Sequence, residues 1–302
     1  MSAIALRNVQ KHFGSIDALR GIDLEVDSGE VFGFLGPNGA GKSTTIDILL
    51  HYTRPSSGSV EVLDQDVTTD PVAVRERTGI LPEGFAAFET MTGRQHLEYA
   101  IESNGADDDP DVLLERVGLE GVGDRLAQDY SKGMTQRLAL AMALVGEPDL
   151  LILDEPSTGL DPHGVRRMRE IVRAERDRGA TVFFSSHILE QVEAVADRVG
   201  ILRAGELVAV DTIDGLRGAV DADAELTVDI AEDPTDLAPE IDSLEGVSSV
   251  IKRDGELVVA CTNEAKLSVL DEIRAAGGTV RDFTTGEASL EDLFVSYTEG
   301  SR

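Results

Sequence analysis

The sequence predicts an α/β fold with a largely parallel sheet, followed by a small α+β domain of the ferredoxin-like kind. Three observations carry this. Short apolar strands alternate with helical segments between residues 30 and 210. A glycine-rich loop, GPNGAGKST (36–44), joins one of those strands to a helix. Near Leu216 the texture changes, and the chain beyond reads β-α-β-β-α-β before a last helix. The expected domains are therefore 1–217 and 218–302, with a mostly helical stretch at about 90–146 inside the first.

Taken in order, residues 3–9 and 22–26 alternate as strands do, and Asp27-Ser28-Gly29 makes a turn. EVFGFL (30–35) is a short buried strand, and TTIDILLHY beyond the loop is helical in pattern. Residues 60–82 read as two strands with a short helix between. The helical stretch is broken by GADDDPD (105–111), read as a solvated connection between helices rather than a cation site. YSKGMTQR (130–137) opens a helix with Ser131 as N-cap. DLLILDEP (149–156) and TVFFSS are buried strands, and VRRMREIVRAERDRG (165–179) is an amphipathic helix closed by Gly179. HILEQVEAVADR (187–198) reads as helix, and VGILRAGELVAV as a hairpin across Ala204-Gly205. In the second domain, LTVDI alternates and DPTDLAPEID reads as helix. A hairpin turns at Asp254-Gly255, EAKLSVLDEIRAAGG is a helix and TVRDFTT a strand. SLEDLFVSYTE is a last helix with a capping box from Ser289 to Asp292.

Of 302 residues, 27 are basic and 57 acidic, a net charge of −30 that argues against a general nucleic-acid binder. The second domain carries 20 acids and 6 bases, so the acidity covers the whole chain rather than a tail. Only 5 of the basic residues are lysine. A dense carboxylate surface with little lysine resembles proteins of salt-loving organisms, where screening tames self-repulsion. Cys261 is the only cysteine, so no intramolecular disulfide forms and a reducing compartment is expected. No signal peptide or bilayer-length apolar run stands out, so any membrane link is expected to come through a partner.

GPNGAGKST matches G-x-x-x-x-G-K-[ST]. In that pattern the loop amides wrap a phosphate chain, Lys42 reaches the outer phosphates and the Ser43 hydroxyl can sit on Mg²⁺. In LLILDE (150–155), Asp154 ends a buried strand where a carboxylate can hold Mg²⁺, and Glu155 can orient or deprotonate an attacking water. The two together make a nucleotide hydrolase. His12, His51 and His96 have no metal-ligand spacing, His163 falls in the first turn of a helix, and Arg137 is expected to make a structural ion pair.

With these motifs in order, residues 4 to about 215 resemble the ATP-binding subunit of an ABC transporter. The resemblance implies that Phe13 stacks on adenine and that Gly36, Pro37, Asn38, Gly39, Ala40, Gly41, Lys42, Ser43 and Thr44 form the phosphate loop. YSKGMTQR is similar to the family signature, usually LSGGQ, with Lys132 in place of its first glycine. STGLD (157–161), ending in Asp161, is the loop that crosses between subunits. His187 is the switch histidine. In the family two ATPase domains face each other head to tail, so Ser131 and Gly133 are expected to meet the γ-phosphate of ATP held by a second copy. Ser43, Asp154 and Glu83 are the expected Mg²⁺ ligands, Glu83 standing where most relatives carry glutamine. The stretch with Phe85, Phe88 and Met91 is the expected seat of a short helix of the membrane subunit, or plain core.

The resemblance implies an ATP-driven subunit on the inner face of the cell membrane, held there by transmembrane permease subunits and working as a homodimer. SKGM, LPE and the small C-terminal domain look like exporter ATPases of the multidrug or copper-processing kinds. The alternative is a soluble ABC ATPase without a transport role. Repair types insert a long coiled coil between phosphate loop and signature, whereas only 86 residues (45–130) intervene here, and translation types fuse two cassettes.

Overall fold

The computed structural model describes residues 2–219, 224–231, 237–253, 256–262 and 264–286. The chain divides into two compact units, Met1–Thr212 and Ile213–Arg302.

The first unit opens with β1 (Ser2–Phe13), β2 (Ile16–Asp27), β3 (Val31–Leu35) and α1 (Lys42–Leu49). It continues with β4 (Ser57–Val62), β5 (Gln65–Asp66), α2 (Pro71–Glu76) and β6 (Thr78–Leu81). Three helices follow, α3 (Gly93–Asn104), α4 (Pro110–Arg116) and α5 (Lys132–Ala143). Then come β7 (Leu150–Asp154), α6 (Pro162–Arg178), β8 (Thr181–Ser186), α7 (Leu189–Glu193), β9 (Arg198–Arg203) and β10 (Glu206–Asp211).

Two sheets result. One, in the order β10-β9-β3-β8-β7-β6, is parallel except for the antiparallel edge strand β10. Its central strands VFGFL, LLILD and TVFFSS are buried at every residue, as expected of parallel strands covered on both faces. The other, β2-β1-β4-β5, is antiparallel. Along β2 the buried residues Ile22, Leu24 and Val26 alternate with exposed ones, so one face turns inward. Both sheets and α1 share one core, in which the Phe32 and Phe183 rings stack at 5.8 Å between centroids.

The helical stretch is delimited by local chemistry. A capping box at Thr92 and Gln95 starts α3, and Gly105 ends it in the left-handed region. Asp109 caps α4 with Pro110 in its first turn, and Ser131 caps α5 by accepting from the Met134 N–H at 3.2 Å. The acidic loop between α3 and α4 is a connection tied down by its own carboxylates. Asp108 accepts from the Gly146 N–H at 2.9 Å, and Asp111 pairs with Arg94 at 2.6 Å.

Two sequence expectations change. The segment 187–198 is helical only at Leu189–Glu193. The Asp197 N–H is drawn to the Val31 carbonyl at 2.8 Å, and Arg198 pairs with Phe32, so joining the sheet ends the helix early. Among the described residues Arg137 makes no ion pair. Its guanidinium donates to the carbonyls of Gly118 at 2.6 Å and Gly133 at 3.3 Å, linking the turn after α4 to the start of α5.

The second unit holds α8 (Ile213–Ala219), β11 (Ala224–Ile230), α9 (Ala238–Asp242), β12 (Val247–Arg253), β13 (Glu256–Cys261), α10 (Ala265–Ala275) and β14 (Val280–Gly286). Its sheet runs β12-β13-β11-β14 with antiparallel neighbours. Leu226, Val228, Leu257 and Val259 from the sheet pack with Ile241, Val269 and Ile273 from α9 and α10. This is the split β-α-β sandwich read from the sequence. The turn at Asp254-Gly255 and the segment SLEDLFVSYTE with its capping box lie outside the described residues.

Candidate active site

The phosphate-loop segment runs from the end of β3 into α1. Gly41 is the N-cap of α1 with φ 112°. A Cβ there would lie 2.7 Å from Leu19 Cδ2 and 2.8 Å from the Ala18 carbonyl, so both conformation and space demand glycine. The first residue of α1 is Lys42, whose buried ammonium donates to the Gly36 carbonyl at 2.7 Å and lies 3.6 Å from Glu155 Oε1.

The strands β7 and β8 end side by side, and their register sets Asp154 beside Ser185. Asp154 and Glu155 are both buried. The Ser185 hydroxyl donates to Asp154 Oδ1 and accepts from the Glu155 N–H at 3.1 Å. Glu155 adopts φ 48°, a left-handed conformation costly for a non-glycine residue. Its surroundings over-determine that backbone. The N–H is held by Ser185, the carbonyl accepts from Gln136 Nε2 at 3.4 Å, and Oε2 lies 2.9 Å from His187 Nδ1.

Phosphate loop, strand ends and His187 surround a cleft of about 490 Å³. Pro37, Asn38, Gly39, Gly41, Lys42, Ser43, Thr44, Glu83, Asp154, Glu155 and His187 line it, so most of the residues singled out from sequence meet here. Ile16, Asp17, Ala18 and Thr158 line it as well and were missed. Thr158 belongs to the quoted STGLD, but the first three follow an ordinary hairpin turn and carry no motif. Phe13, Gly36, Ala40, Ser131, Gly133 and Asp161 are not in the lining. Phe13 stands half-exposed at the tip of the β1–β2 hairpin with the Lys11 ammonium 4.6 Å from its ring centroid. Asp161 caps α6 by accepting from the Gly164 N–H at 2.8 Å. Gly133 lies against the STGLD loop, where a Cβ would approach the Gly159 carbonyl to 2.9 Å, and the stem of Lys132 crosses Gly159.

Burial pushes the Asp154 carboxyl above the ordinary aspartate range. The Ser185 hydroxyl and Lys42 oppose that shift, and the charges of Glu83 and Glu155 add to it. Four carboxylates, those of Asp17, Glu83, Asp154 and Glu155, thus share the cleft with one ammonium, a donor set of hard oxygens that suits a divalent cation. Among the described residues no group of three or more His, Cys, Asp or Glu side chains is arranged to hold a metal by itself. Mg²⁺ in phosphate sites takes one or two carboxylates and fills its shell with phosphate oxygens and water.

A family model described as "ABC transporter" matches residues 19–158, and one described as "ATP-binding protein DrrA1-3-like, C-terminal domain" matches 212–298. The daunorubicin resistance ATP-binding protein DrrA3 of Streptomyces coeruleorubidus is 34% identical, over 100% of this chain and 97% of its own. The chain belongs to the ATP-binding subunits of ABC transporters. Nod factor export ATP-binding protein I of Burkholderia lata is 32% identical over 99% of this chain and 97% of its own. A solved "ATP binding subunit of ABC transporter" superposes with a TM-score of 0.67 at 28% identity, over 72% of this chain and 93% of that one.

As an ABC subunit the chain binds ATP and hydrolyses it to drive transport. Members of the family work with transmembrane permease components and dimerise. Among the described residues no helix is long and apolar enough to cross a membrane.

Proposed function

We propose that this chain is the motor of an exporter, working as a head-to-tail homodimer on permease subunits at the inner face of the cell membrane. The observation that carries the reading is the Glu155 carboxylate, set between the Lys42 ammonium and the His187 ring at the mouth of the phosphate loop. The relatives whose names print resistance or export support the direction.

The roles follow from position. The amides of residues 36–44 cradle the phosphates of ATP, and Lys42 neutralises their charge. Glu155 is the base that orients and deprotonates the attacking water, and His187, fixed through Nδ1, faces the γ-phosphate. Ser43, Asp154 and Glu83 would hold Mg²⁺, which supplies charge neutralisation for the phosphates. Phe13 stacks on the adenine. Ser131 and Gly133 stand outside the lining of their own cleft, as they must if they cover ATP held by a second copy, with Asp161 in the loop that crosses between the two. The acidic surface fits a cytoplasm rich in salt.

Glu155→Gln tests the reading. Turnover is expected to fall by about 10²-fold or more, while ATP binding persists and the variant elutes at double mass with ATP and Mg²⁺. Hydrolysis at the parent's rate removes Glu155 from the role of base.

A further inference from the structure

The hydroxyl of Ser185 sits where two functional carboxylates meet. We infer that Ser185 is a positioning residue that aims Asp154 at its cation and holds the backbone of Glu155, an inference that rests on the proposed cation-binding role of Asp154.

Strand geometry brings the groups together. Asp154 and Ser185 are register neighbours on β7 and β8, so their side chains share a face of the sheet. Along β8 and just past its end, that face recurs every second residue. Ser185 meets Asp154 and His187 meets Glu155, while Ser186 between them bonds instead to the Ile188 carbonyl. Two alternate residues at one strand end thus hold two successive carboxylates at the next.

A serine hydroxyl has one proton and two lone pairs. In Ser185 the proton goes to Asp154 Oδ1 and a lone pair receives the Glu155 N–H. The first bond stops the Asp154 carboxylate from turning and leaves Oδ2 as the oxygen without that tie. The second satisfies a buried amide in a residue already strained at φ 48°. Ser185 is fully buried, with 0% of its surface exposed, so solvent cannot take over either bond when the hydroxyl is removed. A partner behind a metal-holding carboxylate commonly controls metal affinity by about 10–100-fold.

The test measures binding of a fluorescent ATP analogue to the full chain across a Mg²⁺ series, and again in EDTA. Ser185→Ala and the near-isosteric Ser185→Cys are expected to raise the Mg²⁺ midpoint about tenfold and to leave the affinity in EDTA unchanged. Should the alanine variant fail to fold, the cysteine variant carries the comparison. Asp154→Asn, run beside them, is expected to raise the midpoint at least as far. If Asp154→Asn raises it and the Ser185 variants do not, Ser185 does not position the carboxylate. The same conclusion holds if the Ser185 variants lose affinity equally with and without Mg²⁺, since that is general damage to the pocket. A midpoint that Asp154→Asn leaves in place overturns the reading beneath the inference.

Discussion

At the scale of single residues, the site is held in conformations that the fold alone does not favour. Asp154 is the measurable case. Its folded pKa is raised, chiefly by burial, so the fold favours the neutral carboxyl over the charged one. The stability linked to this shift is fully present below the unfolded pKa, near 3.9, and is lost as pH rises through the folded value. At neutral pH Asp154 therefore burdens the protein without bound nucleotide. Asp154→Asn is expected to raise its melting temperature there, by about 2–4 °C for each kcal/mol relieved in a domain of this size. The gain should shrink as pH falls toward 4 and vanish when MgATP is bound. A scanning-calorimetry series across pH checks this, and a gain that is flat with pH contradicts it. Gly133 gives a second case. Gly133→Ala is expected to displace the STGLD loop, because the new Cβ would approach the Gly159 carbonyl to 2.9 Å. Turnover should drop while ATP binding to the separate chain stays normal.

At the scale of elements, α6 is the organising helix. Arg169, Arg173 and Arg176, spaced along one face, reach the segment after His187. They donate to the carbonyls of Glu190 at 3.3 Å and Ala194 at 2.6 Å and to the Asp197 carboxylate at 3.2 Å. On another side Glu175, buried, accepts from Arg116 of α4 at 2.6 Å and Arg178 at 2.8 Å. Arg173→Ala is expected to cost about 1.5–3 kcal/mol locally. Amide exchange across residues 189–197 should quicken about tenfold or more, with α5 unchanged. Uniform acceleration along the chain would mean global loosening instead. Much of this architecture was legible in the sequence. VFGFL, LLILD and TVFFSS announce themselves by short apolar runs, and Ser131 and Gly179 mark helix ends by chemistry that acts within one turn. The length of α7 was not legible, because Asp197 leaves the helix to bond across to Val31, a partner 166 residues away. Arg137 was misassigned for the same reason. A guanidinium serves carbonyls as well as carboxylates, and only the folded chain reveals which it meets. Within the site, the motif residues could be found and their pairings could not. Nothing local to SSH says that Ser185 rather than Ser186 turns to Asp154.

At the scale of the whole molecule, charge and symmetry govern behaviour. Residues 218–302 carry 20 acids and 6 bases, nearly half the chain's excess in a much smaller part. At 0.01 M salt the Debye length is about 30 Å, and at 1 M about 3 Å, so self-repulsion fades steeply as salt rises. The small unit, with less core to oppose the repulsion, is expected to loosen first as KCl is lowered. The ATPase unit should come next, delayed by bound MgATP. Limited proteolysis across a KCl series should cut first near 216–220, and stability that is flat with salt would end this account of the charge. The proposed symmetry has its own test. In a heterodimer of Ser131→Arg and Lys42→Ala chains, a head-to-tail arrangement puts both lesions in one composite site and leaves the other intact. ATP occlusion should survive at that intact site. If each site carries one lesion and occlusion is abolished, the arrangement is wrong. The sole thiol offers a further handle. Cys261 is fully buried in the core of the second unit. A cysteine introduced on the exposed turn at Glu120 would then be the one thiol open to a maleimide spin label. The chain comes ready for spectroscopy, without the removal of native cysteines that such work usually requires. Label-to-label distances between two copies, recorded with and without MgATP, would track the closing of the motor directly.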